Sequence, residues 1–423
     1  MPSGKYTDLL KEFGFSSFLI VQFLGALNDN LYKIVLSMLV VESAGSGDSG
    51  RQLSMVGAVF ILPFFLFSGY AGHLADVFKK RTVMIVTKSL EIPMMIAAYF
   101  AFLSGRVDMM LLILFLMAAE SALFSPAKYG ILTEMLPDRD LSRANGLLEM
   151  STFLAIILGT SGGSALFAVW KGQWGAISLV VIGVSVLGSL FSLWIAKVPT
   201  PSFRKPFRLN PWGEIGTGIR HLYQDKVLWI TVMGMAYFWF LGALYQMDIL
   251  LFGKEVMGLD HFWIGILVTA LACGIGLGSL AAGRLSGDKV ELGMVPLGAA
   301  GIGLFSILLA LAASSFIAAV GALLFLGFSG GLFIVPLNAM LQQRSSPQEK
   351  GRLIASSNFI SMIGVLLASA TLFLLKDILQ ISADRIILIF GFFTLAMIPI
   401  AIRVLPNSLI LFTGWIKRFS VGG

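Results

Sequence analysis

Long apolar runs alternate with short polar connections along the whole chain. A helix needs about 20 mostly apolar residues to cross a bilayer. Twelve runs meet that length, at approximately 15–41, 53–75, 82–104, 108–134, 143–170, 174–197, 226–256, 261–286, 291–313, 315–343, 350–376 and 384–404. The pattern predicts an all-α integral membrane protein with twelve transmembrane helices. The longest polar connection, 198–225, carries Pro199, Pro201, Pro206 and Pro211 and mostly basic charge. It reads as a linker between an N-terminal six-helix bundle (1–197) and a C-terminal one (226–404), with an interfacial tail over 405–423.

Composition sharpens the class. Of 423 residues 57% are apolar and 13% charged, against about 45–50% and about 25% in soluble domains. Too little polar surface is left to face water, which excludes a soluble enzyme, a nucleic-acid binder and a disordered chain. The net charge of +7 is spread over short loops. If the N-terminus is cytoplasmic, inner segments hold 21 Lys/Arg, outer loops hold six, and Lys33, Lys88 and Lys128 fall inside spans. By the positive-inside rule both termini are expected in the cytoplasm. The single cysteine, Cys273, allows no intrachain disulfide. A cleavable signal is not expected, because residues 1–14 are polar and the next apolar run carries Asn28-Asp29-Asn30.

The two halves repeat each other. FLGAL at Phe23–Leu27 returns at Phe240–Leu244, GHLADVFKKR (Gly72–Arg81) matches GRLSGDKVE (Gly283–Glu291), and Pro126 and Pro137 match Pro336 and Pro347. With a one-residue gap Arg143 aligns with Arg352. Ordered matches at nearly constant offset indicate duplication, and parallel duplicated halves imply a pseudo-two-fold axis along the membrane normal with a cavity between them.

GHLADVFKKR resembles the loop signature of the major facilitator superfamily, with Gly72, Asp76, Lys80 and Arg81 at the motif positions. FLGALNDNLYK (Phe23–Lys33), FSPAKYGILTEMLP (Phe124–Pro137) and GRLSGDKVELG (Gly283–Gly293) are similar to the bacterial lysophospholipid transporter family, and the resemblance covers essentially the whole chain. It implies the major facilitator fold and a secondary transporter rather than an enzyme. It also implies inward movement of lysophospholipids, chiefly lysophosphatidylethanolamine, across the bacterial inner membrane for reacylation.

Charge at mid-bilayer costs about 2.5–3.5 kcal/mol on insertion scales and asks for a reason. In the first span Gln22, Asp29 and Lys33 fall within about 40° on a helical wheel, flanked by Asn28 and Asn30. They read as a cavity face with Asp29 accepting a cation or an ammonium, or as an Asp29–Lys33 pair that only packs the halves. In the fourth span Glu120, Phe124 and Lys128 step along one face beside Ser121 and Ser125. Lys128 could hold a phosphate or pair with Glu149 as a gate. Lys88 and Glu91 read as a structural ion pair. In the second half Gln246, at the place of Asp29 under the repeat, joins Asp248, Asn338, Gln342 and Asn358 as cavity candidates. Five acids in the spans (Asp29, Glu91, Glu120, Glu149, Asp248) against three lysines favour a cation, whether an ammonium head group or a coupling Na⁺ or H⁺. No other cofactor and no metal cluster is expected.

Asp76, Lys80 and Arg81 in one half and Asp288, Lys289 and Glu291 in the other sit at matching loops, with Arg143 and Arg352 starting the spans that follow. They read as ion-pair latches of a cytoplasmic gate, or as plain positive-inside anchoring. Gly159-Thr160-Ser161-Gly162-Gly163 matches a nucleophile pattern but lies mid-span with no buried histidine to activate the serine, so helix packing is expected. Gly274-x-Gly-x-Gly278 gets the same reading. The reading favoured over a cation-coupled drug exporter, and over a non-transporting anchor for a lipid-modifying enzyme, is a monomeric lysophospholipid transporter working by alternating access. The terminal Val-Gly-Gly looks like a cut linker. Since some members of the resembling family are fused to acyltransferase and acyl-carrier synthetase domains, a fused or associated partner of that kind is an expectation.

Overall fold

The computed structural model describes residues 5–43, 49–170, 172–198 and 210–404. A short helix α1 (Tyr6–Lys11) leads into six long ones, α2 (Phe13–Ser43), α3 (Ser49–Val77), α4 (Lys80–Ser104), α5 (Val107–Met135), α6 (Leu141–Val169) and α7 (Trp174–Ser192). After α8 (Pro211–Gln224) come α9 (Lys226–Leu251), α10 (His261–Leu285), α11 (Met294–Leu311), α12 (Phe316–Arg344), α13 (Lys350–Phe373) and α14 (Ala383–Val404). No strand occurs among the described residues. Eleven of the helices are long and apolar enough to cross a membrane, and α14 adds 22 further helical residues at the end of the described chain. In hydrocarbon each backbone N–H and C=O must find its partner within the segment, which leaves the helix as the spanning form for such runs.

Helix ends follow local chemistry. Asp225 caps α9 by accepting from the N–H groups of Val227 and Leu228 at 3.0 and 3.2 Å, and Asp260 caps α10 through Phe262 and Trp263 at 3.1 and 3.2 Å. Gly105 stops α4 at φ +66°, a conformation that costs other residues a Cβ clash. The linker holds an ordered helix that its prolines did not suggest. Asn210 accepts from Gly213 N–H at 3.0 Å and Pro211 occupies the first turn, where its missing N–H costs nothing. Residues 199–209 and the tail 405–423 lie outside the described residues.

Within the first bundle α2 packs on α6 and α7, α3 on α5, and α4 on α5 and α7; within the second α9 packs on α13, α10 on α12, and α11 on α12 and α14. Glycines set the closest approaches. A Cβ on Gly278 would lie 2.0 Å from the Phe328 carbonyl oxygen, and one on Gly163 2.4 Å from Ile34 Cγ2. Both glycine patterns are therefore helix contacts. Large apolar side chains such as Phe100, Leu179 and Ile317 point outward, as a lipid-facing surface requires. The bundles meet mainly along α6–α10 and α3–α13. The described hydrogen bonds between them cluster at the end carrying the basic loops, hereafter the basic face.

Candidate functional site

The first bundle holds a buried charge cluster built from three helices. Lys88 of α4 places Nζ 2.8 Å from Glu91 Oε2 and 3.2 Å from Glu120 of α5, with all three side chains about 3% exposed or less. Asn28 of α2 donates to the other oxygen of Glu91 at 2.5 Å. The ammonium also lies 5.0 Å from the Phe124 ring centroid. Gly25 makes room for it, since a Cβ there would come within 2.7 Å of Lys88 Nζ. One lysine thus serves two carboxylates, an arrangement that compensates charges which would be prohibitive alone in an apolar interior.

Next to this cluster the polar groups are less committed. Asp29 accepts from Ser121 Oγ at 2.6 Å through one oxygen, while its other oxygen is buried without a hydrogen-bond partner among the described residues. Glu120 Oε1 lies in ion-pair range of Lys88 but accepts no hydrogen bond there. Lys33 does not pair with Asp29; its ammonium sits 4.8 Å from the Phe60 ring centroid. Lys128 sits 4.5 Å from the Tyr129 ring centroid and makes no ion pair among the described residues. The Lys128–Glu149 gate pair read from the sequence is absent here. Glu149 instead accepts from Tyr129 at 3.1 Å and from Asn338 of the opposite bundle at 3.0 Å. Asp29, Ser121, Ser125 and Lys128 all keep partial exposure.

Other sequence candidates are placed differently. Gln22 donates to Thr152 of α6 at 3.1 Å, an interhelical contact, and Asn30 donates to the Ala26 carbonyl of its own helix at 2.8 Å. Asn358 donates to Ser125 across the bundles at 2.9 Å. Gln246 is exposed on α9. Asp248 is fully buried within the second bundle, and the charged groups acting on it are Lys376, Asp384 and Glu255. The repeat gave Gln246 the place of Asp29 in the second half, with Asp248 as a further cavity candidate; in the structure Gln246 is exposed and Asp248 is buried among the groups of its own bundle.

The gate at the basic face is made partly of the expected residues. Asp76 accepts from the N–H groups of Gly351 and Arg352 at 2.6 and 3.3 Å, capping α13 from the other bundle. Arg143 of α6 reaches Asp288 at 2.7 Å and Asp140 at 2.5 Å. Each repeated loop thus binds the start of the helix that belongs to the opposite half. Lys80 pairs with Glu134, and Arg81 donates to the Ile195 and Leu193 carbonyls at 2.7 and 2.5 Å, so these two cations fasten the first bundle and do not cross the gate. Arg352 reaches Glu214 of α8 at 3.5 Å and pairs with Glu349, which accepts or shares a proton with His221 Nδ1 at 2.7 Å. Partial burial works to raise the Glu349 carboxyl, but His221 and Arg352 hold it below the ordinary range.

Sequence reasoning missed several crossing contacts. Asn145 and Gln342 exchange two amide bonds at 2.8 and 2.9 Å, Lys350 donates to Thr133 at 2.7 Å, and Tyr6 of α1 donates to the Leu280 carbonyl at 2.5 Å. All sit within a turn or two of a helix end, where polar residues look like ordinary loop chemistry.

Residues 18–369 match the Major Facilitator Superfamily. The chain is 30% identical over 359 residues to the lysophospholipid transporter LplT of Klebsiella pneumoniae, covering 84% of this chain and 86% of that one. The chain belongs to the lysophospholipid transporter family of this superfamily. The LplT protein of Yersinia pestis is 29% identical over 331 residues, covering 77% of each chain. Among solved structures the human organic anion transporter MFSD10 matches at a TM-score of 0.74 and 15% identity over 92% of this chain and 99% of its own. A point variant of the Escherichia coli fucose:proton symporter FucP matches at 0.70 and 16%, over 92% and 97%. These two likenesses show the fold. Membership makes the chain a multi-pass membrane transporter and not an enzyme.

Proposed function

We propose that this chain moves lysophospholipids, chiefly lysophosphatidylethanolamine, inward across the bacterial inner membrane by alternating access. The relatives named as lysophospholipid transporters support the substrate class. The observation that carries the reading is the set around Asp29: Lys128, without an ion pair among the described residues, Asp29, with one oxygen that accepts no hydrogen bond, and Glu120, whose Oε1 accepts none although it lies in ion-pair range of Lys88. Asp29 is within electrostatic reach of both Glu120 and Lys128. A lysophosphatidylethanolamine head offers a phosphate and an ammonium on a glycerol with one free hydroxyl. Lys128 takes the phosphate, and Asp29 or Glu120 takes the ammonium or a coupling cation, Na⁺ or H⁺. The single acyl chain lies against apolar helix wall, and a second chain is refused sterically.

The count of 21 Lys/Arg in the inner segments against six in the outer loops supports a cytoplasmic basic face with both termini on that side. The described conformation is then closed to the cytoplasm by Asp76, Arg143–Asp288 and Glu149–Asn338, and inward delivery requires those contacts to break. Uptake of labelled lysophosphatidylethanolamine into proteoliposomes tests the proposal. Uptake should exceed that of the diacyl lipid by at least tenfold and fall to background in Asp29→Asn and Lys128→Ala. Equal movement of one-chain and two-chain lipids, or normal uptake by both variants, would overturn it.

A further inference from the structure

Asp248 is a fully buried acid of the membrane spans that neither the substrate site nor the gate uses. It lies one turn before the end of α9, on the side of the molecule away from the basic face. It is 0% exposed, and neither carboxylate oxygen has a hydrogen-bond partner among the described residues. Its neighbours along the helix are Leu244, Tyr245, Ile249 and Phe252, all buried, and the Tyr245 hydroxyl is taken up by Ser306 of α11 at 2.8 Å. The charged groups acting on it come from three elements: Glu255 after α9, Lys376 after α13, and Asp384 at the start of α14. Lys376 is already paired with Glu255. The cation acting on it is therefore already paired, and Asp384 adds like charge. An ionised carboxylate that is buried, unbonded and facing net negative charge is not a stable arrangement; a neutral carboxyl is.

We propose that Asp248, with the Lys376–Glu255 pair beside it, forms a proton-binding site near the face opposite the closed gate, loaded with its proton in the conformation described here. Release of that proton leaves a carboxylate on which Lys376 is the acting cation. Lys376 then exchanges Glu255 for Asp248, and Glu255, whose side chain is 43% exposed, is left to water. The local backbone is suited to such an exchange. α9 and α13 each run into a single π-turn, Phe252–Val256 and Leu374–Ile378, and the Lys376–Glu255 pair ties the two π-turns together. Turns of this kind interrupt the helix ladder and concentrate at functional sites. The opposite end of α13 is the one capped by Asp76, so the proton site and the gate share a helix.

The test needs no substrate, so it stands or falls separately from the lysophospholipid reading. Infrared absorption of the protonated carboxyl C=O stretch is followed in purified, reconstituted protein as pH is raised. At neutral pH the wild type should show a component that Asp248→Asn lacks and that disappears as pH rises. Identical carboxyl absorption in the two proteins would mean that Asp248 is ionised, and would overturn the proposal. Lys376→Met, which keeps the aspartate, removes the cation that receives the ionised form; the component should persist to a pH at least one unit higher. Disappearance at the same pH as in the wild type would overturn the exchange with Lys376.

Discussion

Lys88 and Lys128 carry the same group on neighbouring helices, yet their partners assign them different work. Lys88 balances two carboxylates that have no access to water. Its removal strands both, at a cost of about 3–5 kcal/mol. Lys128 balances none within ion-pair distance among the described residues and sits against a ring face. Lys88→Ala is therefore expected to lower the thermal midpoint and the yield of folded protein strongly, while Lys128→Ala leaves both near wild type and abolishes uptake. Equal melting of the two variants would remove the distinction. Gly25→Ala tests the same cluster from the other side. The added methyl meets the Lys88 ammonium at 2.7 Å, so the lysine must shift from its place between the two acids. Transport should fall several-fold with expression intact, and unaffected transport would show that the cluster tolerates the shift. Glu120→Gln separates its two possible duties. If Glu120 binds the head-group amine, a lysolipid without that amine should be transported with less impairment than lysophosphatidylethanolamine; equal loss for both assigns Glu120 to ion coupling or gating.

Among the elements, α10 uses glycine for two different jobs. Gly278 seats α10 on α12 inside the second bundle, whereas Gly283 seats it on α6 of the first, 2.9 Å from Arg143 Cα for a built Cβ and 2.3 Å from the Tyr6 hydroxyl. Overpacking costs about 1–3 kcal/mol. In Gly278→Ala that cost falls on the fold, and a lower thermal midpoint is expected. In Gly283→Ala it falls on the closed state alone, and labelling of cysteines placed at the basic face should rise by roughly 5- to 150-fold in equilibrium terms. A lowered midpoint without a change in labelling would show that the α6–α10 contact is not part of the gate. The linker helix α8 adds a second fastening, because it packs on both α3 and α13. Glu349 lies below its ordinary value on account of His221 and Arg352, against the opposing effect of burial. A depressed carboxylate stabilises its contacts above the ordinary value and loses them as pH falls through the depressed one, below about pH 4. A cysteine at Ser356, against which Gly218 of α8 packs, should become more reactive on acidification in the wild type and show no such step in Glu349→Gln.

For the whole molecule the balance between open and closed states rests on few contacts, and Asp76 is the most exposed to test. It caps the start of α13 with a formal charge at the positive end of a helix dipole. Asp76→Asn keeps the shape and removes the charge, at a cost of about 0.5–2 kcal/mol. The population should shift toward opening at the basic face, read as increased labelling there and decreased labelling of cysteines at the opposite face. For this measurement the native Cys273 is first replaced. Unchanged labelling on both faces with normal uptake would make Asp76 a topology charge only.

The linear order of residues determined the membrane class and twelve long helices to within a few residues, eleven of them long and apolar enough to cross a membrane, since apolar length is a local quantity set by the bilayer. It also placed the acids and lysines of the first bundle on one face, because residues four apart on a helix must share it. Partners were decided only by the tertiary structure. Lys88 joins Glu91 and Glu120 from two helices, Asp29 turns to Ser121 and away from Lys33, and Glu149 crosses to Asn338 and leaves Lys128 with a ring. Helical spacing gives the face a side chain occupies, not its rotamer, nor which neighbouring helix presents a better-placed donor. The same limit explains Asp248. The internal repeat aligned its segment with the start of the first-half polar face, but α9 packs on α13 and α14, and the aspartate ends among the groups of its own bundle. Duplication preserves the path of the backbone; the facing surfaces decide which side chains meet.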